Sequence, residues 1–189
     1  AFHKFKLRKL TNIELNRPNL KEFKSLKKSN IIIVLDNIRS AHNVGSIFRS
    51  SDAFKVQKIL TVGITATPPN NEIRKTALGA EQSVDWAISK NISEDLINLK
   101  EIGYEIISVE QTNNSILLEN FTPKKNKIVL IFGNEIKGIS QEIIDITDTA
   151  VEIKQYGTKH SFNVSVTSAI CLWEISKSCL LYTSDAADE

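Results

Sequence analysis

The 189-residue sequence has two cysteines, no methionine and no apolar run long enough to cross a membrane. Its longest apolar runs, residues 31–35 and 128–132, have the length of buried strands. Two cysteines are too few for a disulfide framework and suit a reducing compartment. The basic residues near the N-terminus are not followed by the apolar core of a signal peptide. We therefore expect a cytoplasmic protein that does not bind membranes.

Several ligand-binding signatures are also missing. No G-x-G-x-x-G motif follows a predicted strand, which argues against a dinucleotide-binding fold. Residues 133–140 have the glycine spacing of a phosphate loop, but Ile139 stands where the phosphate-binding lysine would be. The three histidines, His3, His42 and His160, have no metal-ligand spacing with carboxylates or Cys171. The sequence thus predicts neither an NTPase nor a metal site.

The two chain ends differ in character from the middle. The sequence starts at Ala1 without methionine, so we expect it to begin inside a longer reading frame or at a processed end. Residues 179–189, CLLYTSDAADE, resemble the translation of a sequencing adapter and are predicted to be a non-native tail, although a genuine polar terminus is the alternative. Cys171 is then the one native thiol, and its apolar neighbours predict that it is packed rather than reactive.

Positive charge is concentrated in an N-terminal extension, residues 1–29. The whole chain has a formal charge of +2, whereas residues 1–28 contain nine Lys or Arg against Glu14 and Glu22, a local charge of +7. Such an arm on a nearly neutral body favours contact with nucleic-acid phosphates. The basic residues that begin it are Lys4, Lys6, Arg8 and Lys9. A solvated helix face explains the same charges equally well.

Hydrophobic periodicity alternates between strand and helix along residues 30–178, which we predict to be one domain. The predicted strands are residues 31–35, 58–62, 84–88, 104–109, 128–132 and 150–153, and the predicted helices are residues 44–54, 72–78, 93–101, 140–147 and 164–177. A short helix is also predicted after Asn19, which forms a capping box with Glu22. This alternation predicts an α/β fold with a mostly parallel sheet and helices on both faces. The loops that begin at Asp36, Gly133 and Lys154 should meet at the carboxyl ends of the strands.

Those three loops also carry recognisable motifs. They read DNIRSAHNVGSIFRSSDAF from residue 36, LIFGNEIKGIS from residue 130 and KQYGTKHSFNVSVTSAICLWEI from residue 154. Over residues 8–177 the chain resembles the SpoU (TrmH-type) RNA ribose 2′-O-methyltransferases of the SPOUT superfamily. The resemblance implies an α/β knot with a deep C-terminal trefoil, a bound S-adenosylmethionine, and RNA rather than DNA as partner. A guanosine of tRNA or rRNA is the expected target, with the wobble base of a tRNA anticodon as the alternative. We favour tRNA because the chain has no room for the separate RNA-binding domain that some rRNA-modifying relatives carry.

Site residues follow from matching the family motifs position by position. The matched catalytic positions are Asn43, Arg49, Glu135, Ser161 and Asn163. The cofactor is expected to contact Gly133, Ile153, Gln155, Phe162 and Asn163, where Phe162 and Gln155 replace the Leu and Met of most relatives. Arg39 and Arg49 are the expected phosphate contacts beside the basic arm.

Each of these roles has a structural alternative. Arg49 can bind a phosphate and stabilise a developing alkoxide, or it can form an ion pair with Asp52 or Glu135. Asn163 precedes the last helix and can cap it. A non-catalytic RNA-binding or assembly factor on the same fold is the alternative function. The last helix is apolar nearly all round, which predicts, with the resemblance, a two-fold homodimer.

Overall fold

A computed structural model describes residues 7–184 of the chain, with side chains up to residue 178. Within this range seven strands form one sheet in the order β3-β2-β1-β6-β4-β7-β5, and each neighbouring pair is parallel. The strands are β1 (Ile31–Asp36), β2 (Lys58–Val62), β3 (Trp86–Ile88), β4 (Glu105–Val109), β5 (Ile116–Leu117), β6 (Ile128–Phe132) and β7 (Thr149–Glu152). The predicted α/β class with a parallel sheet is confirmed.

Helices cover both faces of this sheet. They are α1 (Leu20–Ser25), α2 (Ala41–Ala53), α3 (Asn71–Ala77), α4 (Ala80–Ser83), α5 (Ile92–Glu101), α6 (Gln141–Ile146) and α7 (Val164–Ser184), with a 3₁₀ turn at Leu118–Asn120. On one face the core includes Ile33 of β1 and Phe48 of α2. On the other face Val34 packs in a core with Leu96 of α5. Successive residues of a strand point to opposite faces, which is why neighbouring β1 residues enter different cores.

The long helix α7 packs against α2 through part of its surface. Cys171, Leu172 and Ile175 are buried there, and burial raises the pKa of the Cys171 thiol to about 12. The expectation that this cysteine is packed is therefore confirmed. None of the helices described is long and apolar enough to cross a membrane.

Most element boundaries agree with prediction to within three residues, but α7 extends seven residues beyond its predicted end at residue 177, and the short strand β5 and helix α4 were not predicted. The predicted strand at 84–88 is shorter, because Val84 ends helix α4 and β3 begins at Trp86. Helix α4 follows Gly79, whose positive φ of 96° turns the chain sharply before the helix. The predicted strand at residues 84–88 therefore contains two parts: Val84 is the C-terminal capping residue of helix α4, and strand β3 follows from Trp86.

The N-terminal extension is tethered through α1. Asn19 and Glu22 form the predicted capping box, with the Glu22 N–H donating to Asn19 Oδ1 at 3.0 Å. Phe23 is the buried residue of α1, and the Lys28 ammonium lies 3.7 Å from the centre of its ring. The division of the chain at residue 29, the non-native tail and the trefoil knot stay predictions.

Candidate active site

A cleft of about 530 Å³ opens at the carboxyl ends of β4, β6 and β7. This is the edge at which a parallel sheet binds ligands. The predicted site residues that line it are Gly133, Glu135, Ile153, Gln155, Ser161, Phe162 and Asn163. The loops that begin at Gly133 and Lys154 therefore meet there, whereas the loop that begins at Asp36, which the sequence also predicts at this site, contributes no residue to the cleft lining.

Gly133 allows the β6 loop to fold tightly at the edge of this cleft. A Cβ atom at this position would lie 2.3 Å from the Ile139 nitrogen and 2.4 Å from the Gly138 carbonyl carbon. Both are backbone atoms and cannot rotate away, so a side chain here would force the loop open. The glycine of the second motif is thus needed for the shape of the cleft wall.

Glu135 connects the β6 loop to the start of α2. Its carboxylate accepts hydrogen bonds from the backbone N–H of Arg39 at 2.9 Å, the backbone N–H of Ser40 at 3.1 Å and the Asn43 side-chain amide at 3.1 Å. Burial disfavours the charged form, but the hydrogen bonds from Arg39, Asn43 and Ser40 outweigh burial and hold the pKa of Glu135 below its ordinary value. Glu135 is therefore an ionised carboxylate at neutral pH that joins the first and second motifs.

Asn43 also contacts the third motif. The Asn163 amide donates to Asn43 Oδ1 at 3.1 Å, while Asn163 Oδ1 accepts the backbone N–H of Ser165 at 2.9 Å. The second bond caps α7, so the predicted capping role of Asn163 is confirmed. Glu135, Asn43 and Asn163 thus form one hydrogen-bonded chain across the three motifs.

Arg49 lies further along α2, with its side chain exposed. Arg49 follows Asn43 by six positions on the same helix. At the usual rise and rotation per residue, the two residues lie about 9 Å apart along the helix axis and about 120° apart around it. Neither of the alternative ion pairs is present among the described residues: Asp52 accepts the Ser83 hydroxyl, and Glu135 is bonded to the start of α2. Among residues 7–178, no side-chain hydrogen bond or ion pair engages the Arg49 guanidinium, and Arg49 does not line the cleft.

The other predicted RNA contacts that the structure describes lie on exposed surface. Arg39 binds Glu135 through its backbone N–H and is otherwise exposed. Arg8 forms a 2.5 Å ion pair with Glu14, which offsets part of the charge of the arm. Lys9 is exposed. Lys4 and Lys6 lie outside the described residues.

Two cleft residues, Glu110 and Gln111, were not anticipated from the sequence. They follow β4, which lies between β6 and β7 in the sheet. Glu110 accepts the Ile139 N–H at 3.0 Å, and Gln111 donates to the His160 carbonyl at 2.7 Å. Knowing the order of strands in the sheet would have pointed to these two residues, because they follow the strand between β6 and β7. Hydrophobic periodicity does not reveal which strands pair, so the sequence alone did not indicate them.

Known proteins are similar to this chain over most of its length. The model of the SpoU rRNA Methylase family matches residues 30–173. A Borreliella burgdorferi protein named uncharacterized tRNA/rRNA methyltransferase is 30% identical over 92% of this chain and 77% of its own. A 23S rRNA (guanosine-2′-O-)-methyltransferase of Neisseria meningitidis is 29% identical over 83% of this chain, which spans 62% of that relative.

A tRNA-modifying relative has a solved structure. The tRNA (guanosine(18)-2′-O)-methyltransferase of Aquifex aeolicus is 26% identical over 87% of this chain and 77% of its own. The crystal structure of an A. aeolicus TrmH/SpoU tRNA modifying enzyme superposes with a TM-score of 0.77, at 26% identity, over 87% of this chain and 82% of that one. The three motifs, the fold and these matches agree, and the chain belongs to the SpoU rRNA methylase family.

Proposed function

We propose that this protein transfers a methyl group from S-adenosylmethionine to a ribose 2′-hydroxyl of RNA. The observation that carries the proposal is the hydrogen-bonded chain of Glu135, Asn43 and Asn163 at the cleft. It unites one residue from each motif that the family uses for this reaction. A protein that only binds RNA has no chemical need for such an assembly.

The cleft fits the cofactor in size and in the chemistry of its lining. Its volume of about 530 Å³ lies in the range of small-molecule sites. Apolar side chains such as Ile153 and Phe162 suit an adenine ring, while the polar groups of Gln155, Asn163 and the Gly133 backbone suit the ribose and amino-acid ends. Bound there, S-adenosylmethionine supplies an activated methyl group on its sulfonium.

The protein's own task is then to position the hydroxyl and to manage its proton. For Arg49 we favour electrostatic activation over a role as a base, because guanidinium groups in proteins resist the loss of a proton. Its exposed side chain is instead available to bind a phosphate of the target nucleotide and to stabilise negative charge that develops on the ribose oxygen. Ser161 lies on the cleft wall within the same loop as Asn163 and is proposed to contact the substrate.

Substrate choice within RNA is the finer part of the proposal. Relatives are named for 23S rRNA guanosine and for tRNA guanosine, so both classes fit the family. We favour a tRNA guanosine, because the similarity to the A. aeolicus tRNA enzyme extends over more of that relative, 77%, than the similarity to the N. meningitidis rRNA enzyme, 62%. Arg39 and the basic arm are the proposed contacts with the RNA backbone.

A homodimer forms part of this proposal. Helix α7 buries one side against α2, yet Val166 and Trp173 on the same helix are 47% and 61% exposed. A second copy of the chain would cover these apolar side chains. Light scattering at micromolar concentration should give the dimer mass, and a fully active monomer would contradict this interface. The proposed location is the cytoplasm.

Calorimetry separates the catalytic proposal from the alternative of a non-catalytic RNA-binding factor. The purified protein should bind S-adenosylmethionine in the absence of RNA, with measurable heat and a stoichiometry of one per chain. Binding of RNA without any binding of the cofactor would favour the non-catalytic function. The test needs no knowledge of the RNA target.

A further inference from the structure

The residues after β4 occupy a central position in the cofactor cleft. In the sheet, β4 pairs with β6 on one side and with β7 on the other. The loops of the second and third motifs leave the sheet from β6 and β7. Any side chain at the carboxyl end of β4 therefore lies between these two loops, and Glu110 and Gln111 stand at this point.

Glu110 holds the loop of the second motif. Its Oε2 accepts the backbone N–H of Ile139 at 3.0 Å, and its Oε1 accepts the N–H of Gln111 at 2.9 Å. The loop comes so close that a Cβ on Gly138 would lie 2.3 Å from Glu110 Oε2. Hydrogen bonds from backbone N–H groups to an ionised carboxylate are stronger than neutral ones. The carboxylate thus fixes the turn at Gly138 against β4.

Gln111 holds the loop of the third motif. Residues 154–163 are exposed apart from the half-buried Gln155, so packing contributes little to their conformation. Within the described range, no backbone–backbone hydrogen bond joins residues 154–162 to other parts of the chain. The Gln111 amide donates to the His160 carbonyl at 2.7 Å, and Gln155, from within the loop, donates to the same oxygen at 3.3 Å. Gln111 is therefore the tie from the sheet to this loop.

We propose that Glu110 and Gln111 are positioning residues that hold the two cofactor loops in the conformation that forms the cleft. Glu110 fixes the second-motif loop and Gln111 fixes the third-motif loop, each from the end of the strand between them. The inference rests on the proposed function for its ligand, S-adenosylmethionine. It adds two residues that none of the three motifs contains.

The variant Gln111→Glu tests the tie to the third-motif loop. It keeps the length of the side chain but removes the N–H donor and sets a carboxylate against the His160 carbonyl. Loss of such a hydrogen bond should weaken S-adenosylmethionine binding about tenfold in calorimetry. The turnover rate at saturating cofactor should stay within about twofold of the parent. Gln111 orders the loop before the cofactor binds, so its loss should raise the KM for the cofactor and leave kcat nearly unchanged.

Limited proteolysis of the cofactor-free protein with chymotrypsin gives a second readout, because Tyr156 in this loop is 86% exposed. Cleavage after Tyr156 should be faster in Gln111→Glu than in the parent, because a loop that is no longer held by the sheet enters the protease more readily. Gln111→Lys keeps a hydrogen-bond donor at this position and should restore the parent's cleavage rate and cofactor affinity. Gln82→Glu, on the exposed surface of α4, makes the same charge change far along the sheet and should alter neither.

Glu110→Gln tests the other half of the pair. One carboxylate oxygen becomes an N–H₂ group facing a backbone N–H. The hydrogen-bonded amides of residues 136–139 should therefore exchange their hydrogens faster, and cofactor affinity should fall. The positioning roles are wrong if both variants bind the cofactor as tightly as the parent, cleavage after Tyr156 is unchanged in Gln111→Glu and exchange at residues 136–139 is unchanged in Glu110→Gln; the methyltransferase function would then still stand. If the parent itself binds no cofactor, the proposed function fails, and unchanged cleavage and exchange in the cofactor-free variants would also reject the positioning roles.

Discussion

Strand β1 and the loop of residues 154–163 are kept in place by different forces. Every residue of β1 is buried, and its apolar side chains enter the cores on both faces of the sheet. The loop is almost entirely exposed and is tied to the sheet by the Gln111 amide. Burial of side chains stabilises the first region, whereas a few directed hydrogen bonds shape the second. Substitutions in the scaffold should therefore cost stability, and substitutions at the cleft should cost activity.

The largest expected effect is a loss of scaffold stability in Phe48→Ala. Phe48 is fully buried between α2 and the sheet, so its truncation leaves a cavity and should lower the free energy of unfolding by about 3–5 kcal/mol. Urea unfolding followed by circular dichroism measures the change. Phe162→Ala is the matched control, because Phe162 is 42% exposed at the cleft. It should cost below about 1 kcal/mol, and an equal loss in both variants would contradict the comparison.

Arg49→Ala should show the opposite pattern. Methyl transfer should fall about 10²- to 10³-fold, the usual effect of removing a group that stabilises developing charge. Unfolding free energy should change by less than about 0.5 kcal/mol, because within residues 7–178 the exposed side chain makes no hydrogen bond or ion pair. Affinity for S-adenosylmethionine should be retained. The control is Arg74→Ala on the exposed surface of α3, which should keep full activity, and loss of cofactor binding in Arg49→Ala would assign Arg49 a structural role instead.

Asn163 belongs to both regions, and two substitutions separate its roles. Asn163→Ala removes the cap of α7 and should cost about 1 kcal/mol of stability together with activity. Asn163→Asp keeps the acceptor for the Ser165 N–H but loses the donor to Asn43. It should therefore retain stability and lose methyl transfer. If Asn163→Asp is as active as the parent, the contact with Asn43 has no role in the reaction.

A smaller effect is expected from pH. Hydrogen bonds lower the pKa of Glu135 in the folded protein below its ordinary value of 4.5, so the carboxylate adds stability above that value. This contribution is lost as pH falls through the lowered pKa of the folded state. Glu135→Gln should therefore show a shallower fall in unfolding free energy below pH 4.5 than the parent, measured by urea titrations at several pH values. Parallel curves for the two proteins would contradict the assignment.

The scaffold was more predictable from sequence than the cleft. Buried apolar runs give β2 and β6 at their observed bounds and β1 to within one residue, because a strand buried on both faces reads as a continuous apolar segment. The capping box of Asn19 is equally local. Motif resemblance identified the loops after β1, β6 and β7, and the structure brings Glu135, Asn43 and Asn163 together.

The cleft depends on contacts that are distant in sequence. Glu110 and Gln111 were missed because their importance arises from the position of β4 between β6 and β7. The structural alternative for Arg49, an ion pair with Asp52 or Glu135, is not seen among the described residues, and Ser83 and the start of α2 engage those carboxylates. Helix α4 was missed because only four residues form it after the turn at Gly79. Periodicity reports which face of an element is buried, and it does not report which elements become neighbours.

The central claim is methyl transfer to a ribose hydroxyl, and alkaline hydrolysis of the product tests it directly. The protein is incubated with bulk tRNA and S-adenosylmethionine carrying a radiolabelled methyl group, and the RNA is then hydrolysed in alkali. Cleavage in alkali requires a free 2′-hydroxyl, so a 2′-O-methylated nucleotide stays attached to its neighbour. We predict label in alkali-resistant dinucleotides with the parent protein and its loss with Arg49→Ala. Label found only in mononucleotides would place the methyl group on a base and contradict the account.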